Sequence, residues 1–279
     1  MAIVSFWSAD RKPSGQTLSM VAIATQMCVE HNMRTLIVNA AFSDDSLERC
    51  FWNVNASRNL AKTLNMGKID LASGAEGLVS AIASNKASPE VISNYTKIIF
   101  KNRLDVLPGL KTNIFQDYEK ALMLYKDLLK AADKYYDLVF VDLSKGTDRE
   151  TINTIIENSA LIVYTMSPNL RQIDNFIRFK SRSPLYAKGN IVPILSISND
   201  ASKYNVRNTT RYIGEKKVIS TVPYNTLFME NACEAEVPNM FLKLRLSSSS
   251  QDKNIQFLNA VSDCGKTIIY KLQDLQYNV

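Results

Sequence analysis

The sequence predicts a three-layer α/β/α fold, with one mostly parallel sheet and helices on both faces. Three observations predict it. Short apolar runs without polar alternation recur along the chain, which is the pattern of strands covered on both sides. Longer segments of helical periodicity separate those runs, and such alternation builds parallel βαβ units. The 279 residues are 46% hydrophobic and 22% charged, the balance of a globular domain with a sizeable core. We expect a single domain over residues 1–279.

The elements follow in order. Ala2–Trp7 (AIVSFW) reads as a buried strand, and Leu18–Glu30 as a helix with small or apolar residues on most sides. Thr35–Asn39 is the next strand. Leu104–Leu107 is a short strand ending at Pro108-Gly109. Ile114–Lys134 predicts one long amphipathic helix, with Leu122, Leu124, Leu128, Leu129 and Ala132 on its apolar stripe. Asp137–Val141, Leu161–Tyr164, Ile191–Ile197 and Val218–Val222 complete the strands. Ser247–Ser250 marks a loop before a last helix at about 251–276.

Several classes are disfavoured. No apolar run approaches the roughly 20 residues that span a bilayer, so stable membrane insertion is not expected. The start, MAIVSFWSADRK, puts apolar residues before charge, the reverse of a secretory signal, and a cytoplasmic chain is expected. Cys28, Cys50, Cys233 and Cys264 lack the spacing of a zinc site or redox pair and read as reduced structural thiols. The single His31 lies in a polar turn and reads as a surface residue. There is no GxGxxG, no GxSxG and no second histidine, so a metabolic α/β enzyme finds little support.

Net charge is +6, and it is concentrated. From Arg171 to Lys217 ten Lys/Arg face three acids, a local +7. Such a zone either attracts DNA, RNA or an anionic membrane surface, or is a solvated helical face. The candidate DNA contacts are Arg171, Arg178, Arg182, Lys203, Arg207 and Arg211.

In parallel α/β sheets ligands bind beyond the carboxyl ends of the strands. The loop after the first strand, Ser8–Thr17 (SADRKPSGQT), leads straight into a helix. Gly15 permits close approach of backbone to a phosphate, and the amides of Gln16, Thr17 and Leu18 would point at an anion. Thr17 offers a hydroxyl for a magnesium ion. Asp142 closes a buried apolar strand in YDLVFVDLSKG, where a carboxylate is expected to serve a site.

This loop resembles that of the MinD/ParA family of P-loop ATPases, KGGxGKT. Aligned on Gly15 and Thr17, the family's first lysine falls on Arg11, its next two glycines on Lys12 and Pro13, and its second lysine on Gln16. The resemblance extends to YDxxxxDxxxG, matched at Asp142 and Gly146. It extends also to ILSISND, where Asn199 stands at the family's adenine-reading asparagine, and to the stretch around Pro223, Tyr224, Asn225 and Pro238. The segment LDVLPGL is similar to TadZ/CpaE-like members.

The resemblance implies ATP and Mg²⁺ as ligands, with Thr17 and Asp142 at the metal, and a homodimer. The departures imply weak or absent nucleotide use. Gln16 brings no charge to the β/γ phosphates, and Asn39 and Ala41 replace the family's two second-strand aspartates. Transition-state stabilisation in phosphoryl transfer is largely electrostatic, so hydrolysis should suffer badly. Arg11 and Lys12 retain positive charge nearby, and Pro13 removes an amide donor. The leading expectation is therefore a degenerate nucleotide-binding or pseudo-ATPase protein. It would act in positioning or assembly of a larger complex, such as a secretion or pilus system. The alternatives are a DNA-partition ATPase and a MinD-like protein attached to membrane through Ile268, Ile269, Leu272 and Leu275. The same four residues would equally serve a helix packed on its own domain.

Overall fold

The computed structural model describes residues 2–10, 13–55, 74–84, 89–143, 153, 155–247 and 251–277. Among these, eight strands form one sheet. They are β1 (Ala2–Trp7), β2 (Thr35–Ala40), β3 (Lys97–Phe100), β4 (Leu104–Leu107), β5 (Leu138–Leu143), β6 (Leu161–Met166), β7 (Ile191–Ser198) and β8 (Ser220–Pro223). Their order is β3-β4-β2-β5-β1-β6-β7-β8. All neighbours are parallel except β3 and β4.

The strands alternate sides with period two, and each side is buried. Val4, Phe6, Ile37, Leu138 and Phe140 enter one core. Ile3, Leu36, Val38, Val139 and Val141 enter the other. This is why the strands read as unbroken apolar runs.

The helices are α1 (Gln16–Glu30), α2 (Ser46–Arg49), α3 (Gly74–Ala83), α4 (Phe115–Met123), α5 (Tyr125–Tyr135), α6 (Leu170–Arg182), α7 (Pro184–Ala187), α8 (Val206–Tyr212), α9 (Thr226–Cys233), α10 (Val237–Leu244) and α11 (Lys253–Tyr277). Residues of α1, α9, α10 and α11 fill the first core, and residues of α3, α4, α5 and α6 the second. Every residue of α1 from Ser19 to Val29 is buried. It lies beneath α10 and α11, and a Cβ on Gly265 of α11 would come within 2.8 Å of Met27. Only a glycine lets the two helices approach so closely.

One expected helix is corrected, one strand is added, and one open alternative is decided. The helix expected over Ile114–Lys134 is two, because the Leu124 N–H closes on Ala121 (3.0 Å) and tightens one turn. Tyr118 and Tyr125 flank that turn, and their hydroxyls reach the carbonyls of Ala40 (2.6 Å) and Asn39 (3.4 Å) at the end of β2. No Pro or Gly marks the break. The edge strand β3 was not expected; four residues, KIIF, give too short a pattern to separate from a turn. Finally, the apolar face of α11 is spent on its own domain. Ile268 and Leu272 are buried in the first core, with Ile269 and Leu275 packed against it, so this stripe is not left over for a membrane. No described helix is long and apolar enough to cross one.

Candidate functional site at the start of α1

β1 lies between β5 and β6, so the loop after it emerges where neighbouring strands present their carboxyl ends. Gly15 caps α1 in the left-handed region, at φ 71° and ψ 15°. A Cβ there would lie 2.9 Å from the Ser196 Oγ. That hydroxyl is itself held between the carbonyls of Ser14 and Met166. Glycine is therefore required twice over, by conformation and by space.

The next two residues reach β5. Gln16 is 1% exposed, and its Nε2 donates to Asp142 Oδ1 (2.6 Å) and to the carbonyl of Leu143 (2.7 Å). Thr17 Oγ1 donates to Asp142 Oδ2 (2.6 Å). Both carboxylate oxygens thus accept hydrogen bonds from the start of α1. Gln16 Oε1 is buried and has no partner among the described residues. The amide orientation is fixed by chemistry, since only its nitrogen can donate to a carboxylate and a carbonyl.

The end of β2 is neutral but not bare. Asn39 pairs in register with Asp142 across β2 and β5. Its Nδ2 donates to both oxygens of Glu48 (2.9 Å each) and to the Asp44 carbonyl (2.8 Å). Glu48 Oε1 also accepts the Gly109 N–H at 2.8 Å. Burial holds the Glu48 carboxyl above its ordinary range, against these hydrogen bonds that lower it. Sequence reasoning missed Glu48, which looks like an ordinary residue of a short polar helix. Asp44 accepts from the Ser46 N–H, and Asp45 pairs with Arg49 at 2.7 Å.

A second acid lies in the loop itself. Asp10 is 6% exposed and accepts a hydrogen bond from Asn175 Nδ2 (3.3 Å). On the far side of Gly15, a cleft between Ile197 and Pro223 holds only about 10 Å³, room for about one water. Ile197 narrows it from a left-handed backbone, φ 44°, at the register shift between β7 and β8. That conformation costs a β-branched residue about 1–2 kcal/mol. A far larger cavity, about 590 Å³, opens elsewhere, over the ends of β2 and β4, and is lined by Asp44, Glu48, Trp52, Tyr95 and Lys97. The larger space contains neither Thr17 nor Asp142 and lies apart from the hydrogen-bonded constellation at the start of α1.

No protein-family model matches the sequence, and neither does any curated protein sequence. Solved structures do match. A ParA family ATPase from Chlorobium tepidum TLS superposes with TM-score 0.69 at 16% identity, over 95% of this chain and 98% of that one. The fold is that of the MinD/ParA ATPases. The septum site-determining protein MinD of Pyrococcus horikoshii OT3, solved with Mg-ADP, gives 0.65 at 13% identity over 97% and 98%. MinD in the MinC:MinD cell division complex of Aquifex aeolicus gives 0.62 at 13% over 94% and 94%. At these identities the likeness is one of fold.

On the MinD/ParA fold the expected site residues divide. Gly15, Gln16, Thr17, Leu18 and Asp142 come together. Pro223 lies across the narrow cleft from Gly15 and Leu18. Asn199 is exposed beyond β7, where its Oδ1 accepts the Ala201 N–H (2.9 Å). Arg11, Lys12 and Gly146 lie outside the described residues. The hydroxyl of Thr17 and the carboxylate of Asp142 are hard oxygen donors that suit Mg²⁺. On the phosphate side positions 13–17 carry no cation and Asp10 is acidic, so the loop's positive charge is that of Arg11 and Lys12.

The thiols are structural in character. Burial pushes Cys28, Cys50 and Cys264 up to about 12, far from reactive thiolates, while Cys233 is exposed. No cluster of metal-ligating side chains occurs among the described residues.

Proposed function

We propose that this chain is a degenerate MinD/ParA-fold protein that acts in positioning or assembling a larger complex, and that it holds nucleotide weakly or not at all. The observation that carries this reading is the buried Gln16 amide. It stands where the fold's ATPases carry a lysine, and it spends both its hydrogens on Asp142 and Leu143. A charged group for the β/γ phosphates is replaced by a neutral one turned toward the protein. The neutral end of β2 removes a second requirement, the acid that positions water.

A homodimer and a protein client follow by analogy of fold. The Aquifex MinD is found in complex with MinC, and a secretion or pilus assembly is the client class that the LDVLPGL segment suggests. Titration with Mg-ATP, read alongside particle size, tests the proposal. The expected result is a size that does not depend on nucleotide. A dimer that forms only with Mg-ATP at micromolar affinity would overturn it.

A second reading, attraction to DNA or another polyanion, is favoured by one observation. The Tyr212 hydroxyl at the end of α8 donates to Asp174 of α6 (2.9 Å), which ties one helix end to the other helix. Arg171, Arg178 and Arg182 of α6 and Arg207 and Arg211 of α8 are all exposed. Lys203 sits over the Tyr204 ring at 4.9 Å. None of these six forms an ion pair among the described residues.

A further inference from the structure

We infer that Gln16 acts as an internal latch: by bonding Asp142 together with Thr17, it holds the nucleotide site in a closed state that any metal-bound nucleotide must first open. The inference rests on the proposed degenerate site and adds a cause to it. Missing charge alone would leave a weak but open site. The geometry instead shows an occupied carboxylate.

Asp142 Oδ1 accepts from Gln16 at 2.6 Å and Oδ2 from Thr17 at 2.6 Å. Hydrogen bonds to a carboxylate at such distances are the strong kind. Gln16 also ties down the Leu143 carbonyl, so one amide bridges a side chain and the backbone at the end of β5. The bridge is favourable enough to leave Gln16 Oε1 buried without a donor among the described residues.

A cation seeking Asp142 competes with these hydrogens. Thr17 Oγ1 and the carboxylate keep lone pairs for a metal, but the hydrogens of Gln16 and Thr17 hold both carboxylate oxygens in their present direction. Gln16 is 1% exposed, so its amide cannot simply turn out to water without leaving its place under the loop. A lysine in its place would bring charge as well as hydrogen bonds, and could exchange Asp142 for a phosphate. Glutamine gains nothing from that exchange.

The two explanations of weak binding, missing charge and closed latch, part company in variants that remove the amide without adding charge. Gln16→Met keeps length and apolar packing but cannot donate. Gln16→Ala removes the side chain and serves if Gln16→Met does not melt cooperatively. Gln16→Lys restores the charge. Calorimetric titration with Mg-ADP is the readout, with thermal melting as the control for folding.

The latch predicts that Gln16→Met binds Mg-ADP at least about tenfold more tightly than wild type, equivalent to about 1.4 kcal/mol. Missing charge alone predicts a gain in Gln16→Lys only. A folded Gln16→Met or Gln16→Ala that binds no more tightly than wild type, or not at all, overturns the latch and leaves the proposed function standing. Tight binding by the wild-type chain would overturn the proposed function instead, and the comparison with Gln16→Met would still decide the latch.

Discussion

At the scale of single residues, the site depends on partners far apart in sequence. Gln16 and Asp142 are 126 positions apart, and Gly15 is pressed against Ser196. Gly15→Ala should destabilise the protein by more than about 1 kcal/mol, from left-handed strain alone, before the contact with the fixed Ser196 hydroxyl is counted. Denaturant unfolding checks this, and a variant as stable as wild type would contradict it. Glu48 supplies a pH prediction. Burial raises its folded value above the ordinary 4.5, so the native state holds its proton more tightly than the unfolded chain does. The linked stability is present at low pH and declines as pH rises from about 4.5 through the folded value. Asp105, also raised by burial, acts in the same direction. The stability of wild type relative to Glu48→Gln should therefore shrink as pH rises, and a difference that grows would contradict the assignment. Asp142 was legible in sequence, because an acid ending an apolar strand has few other reasons to be there. Glu48 was not, because its role comes from Asn39 and Gly109 on other elements.

At the scale of elements, boundaries follow local chemistry and breaks follow tertiary contacts. Asn169 caps α6 by accepting the Arg171 N–H (3.0 Å). Asn169→Ala should cost about 1 kcal/mol. The same helix is tied at its other end, where Lys180 meets Glu215 at 2.7 Å and Tyr186 also bonds that carboxylate. α11 is legible as a helix, but its partner is not, since an amphipathic stripe looks alike against a domain or a membrane. The structure places Ile268 at 0% exposure. Ile268→Ala should cost about 2–5 kcal/mol in thermal or denaturant unfolding. A surface-like loss below about 0.5 kcal/mol would mean that the helix does not pack as described. The split at Leu124 was hidden because no Pro or Gly marks it. The turn closed by the Leu124 N–H on Ala121, and the two flanking tyrosine hydroxyls that reach the end of β2, are visible only after folding.

At the scale of the whole molecule, the parallel sheet was the most legible feature, because apolar strands covered on both faces leave few other architectures. The distribution of charge was legible too, but not the tie between the end of α8 and Asp174 of α6. If that face holds DNA, affinity should fall by orders of magnitude between about 50 and about 200 mM salt, and should weaken on neutralising Arg207 and Arg211. Fluorescence anisotropy with a mixed-sequence duplex measures both. Binding indifferent to salt and to those substitutions would remove this surface from consideration. Function was less legible than fold, because the proposed loss of turnover turns on a single side chain, Gln16, in an otherwise ordinary architecture. The proposal that the MinD/ParA fold persists here without its turnover can be checked by steady-state phosphate release from saturating Mg-ATP by the purified chain. No release above the buffer rate is expected. Steady turnover that Asp142→Asn abolishes would contradict it.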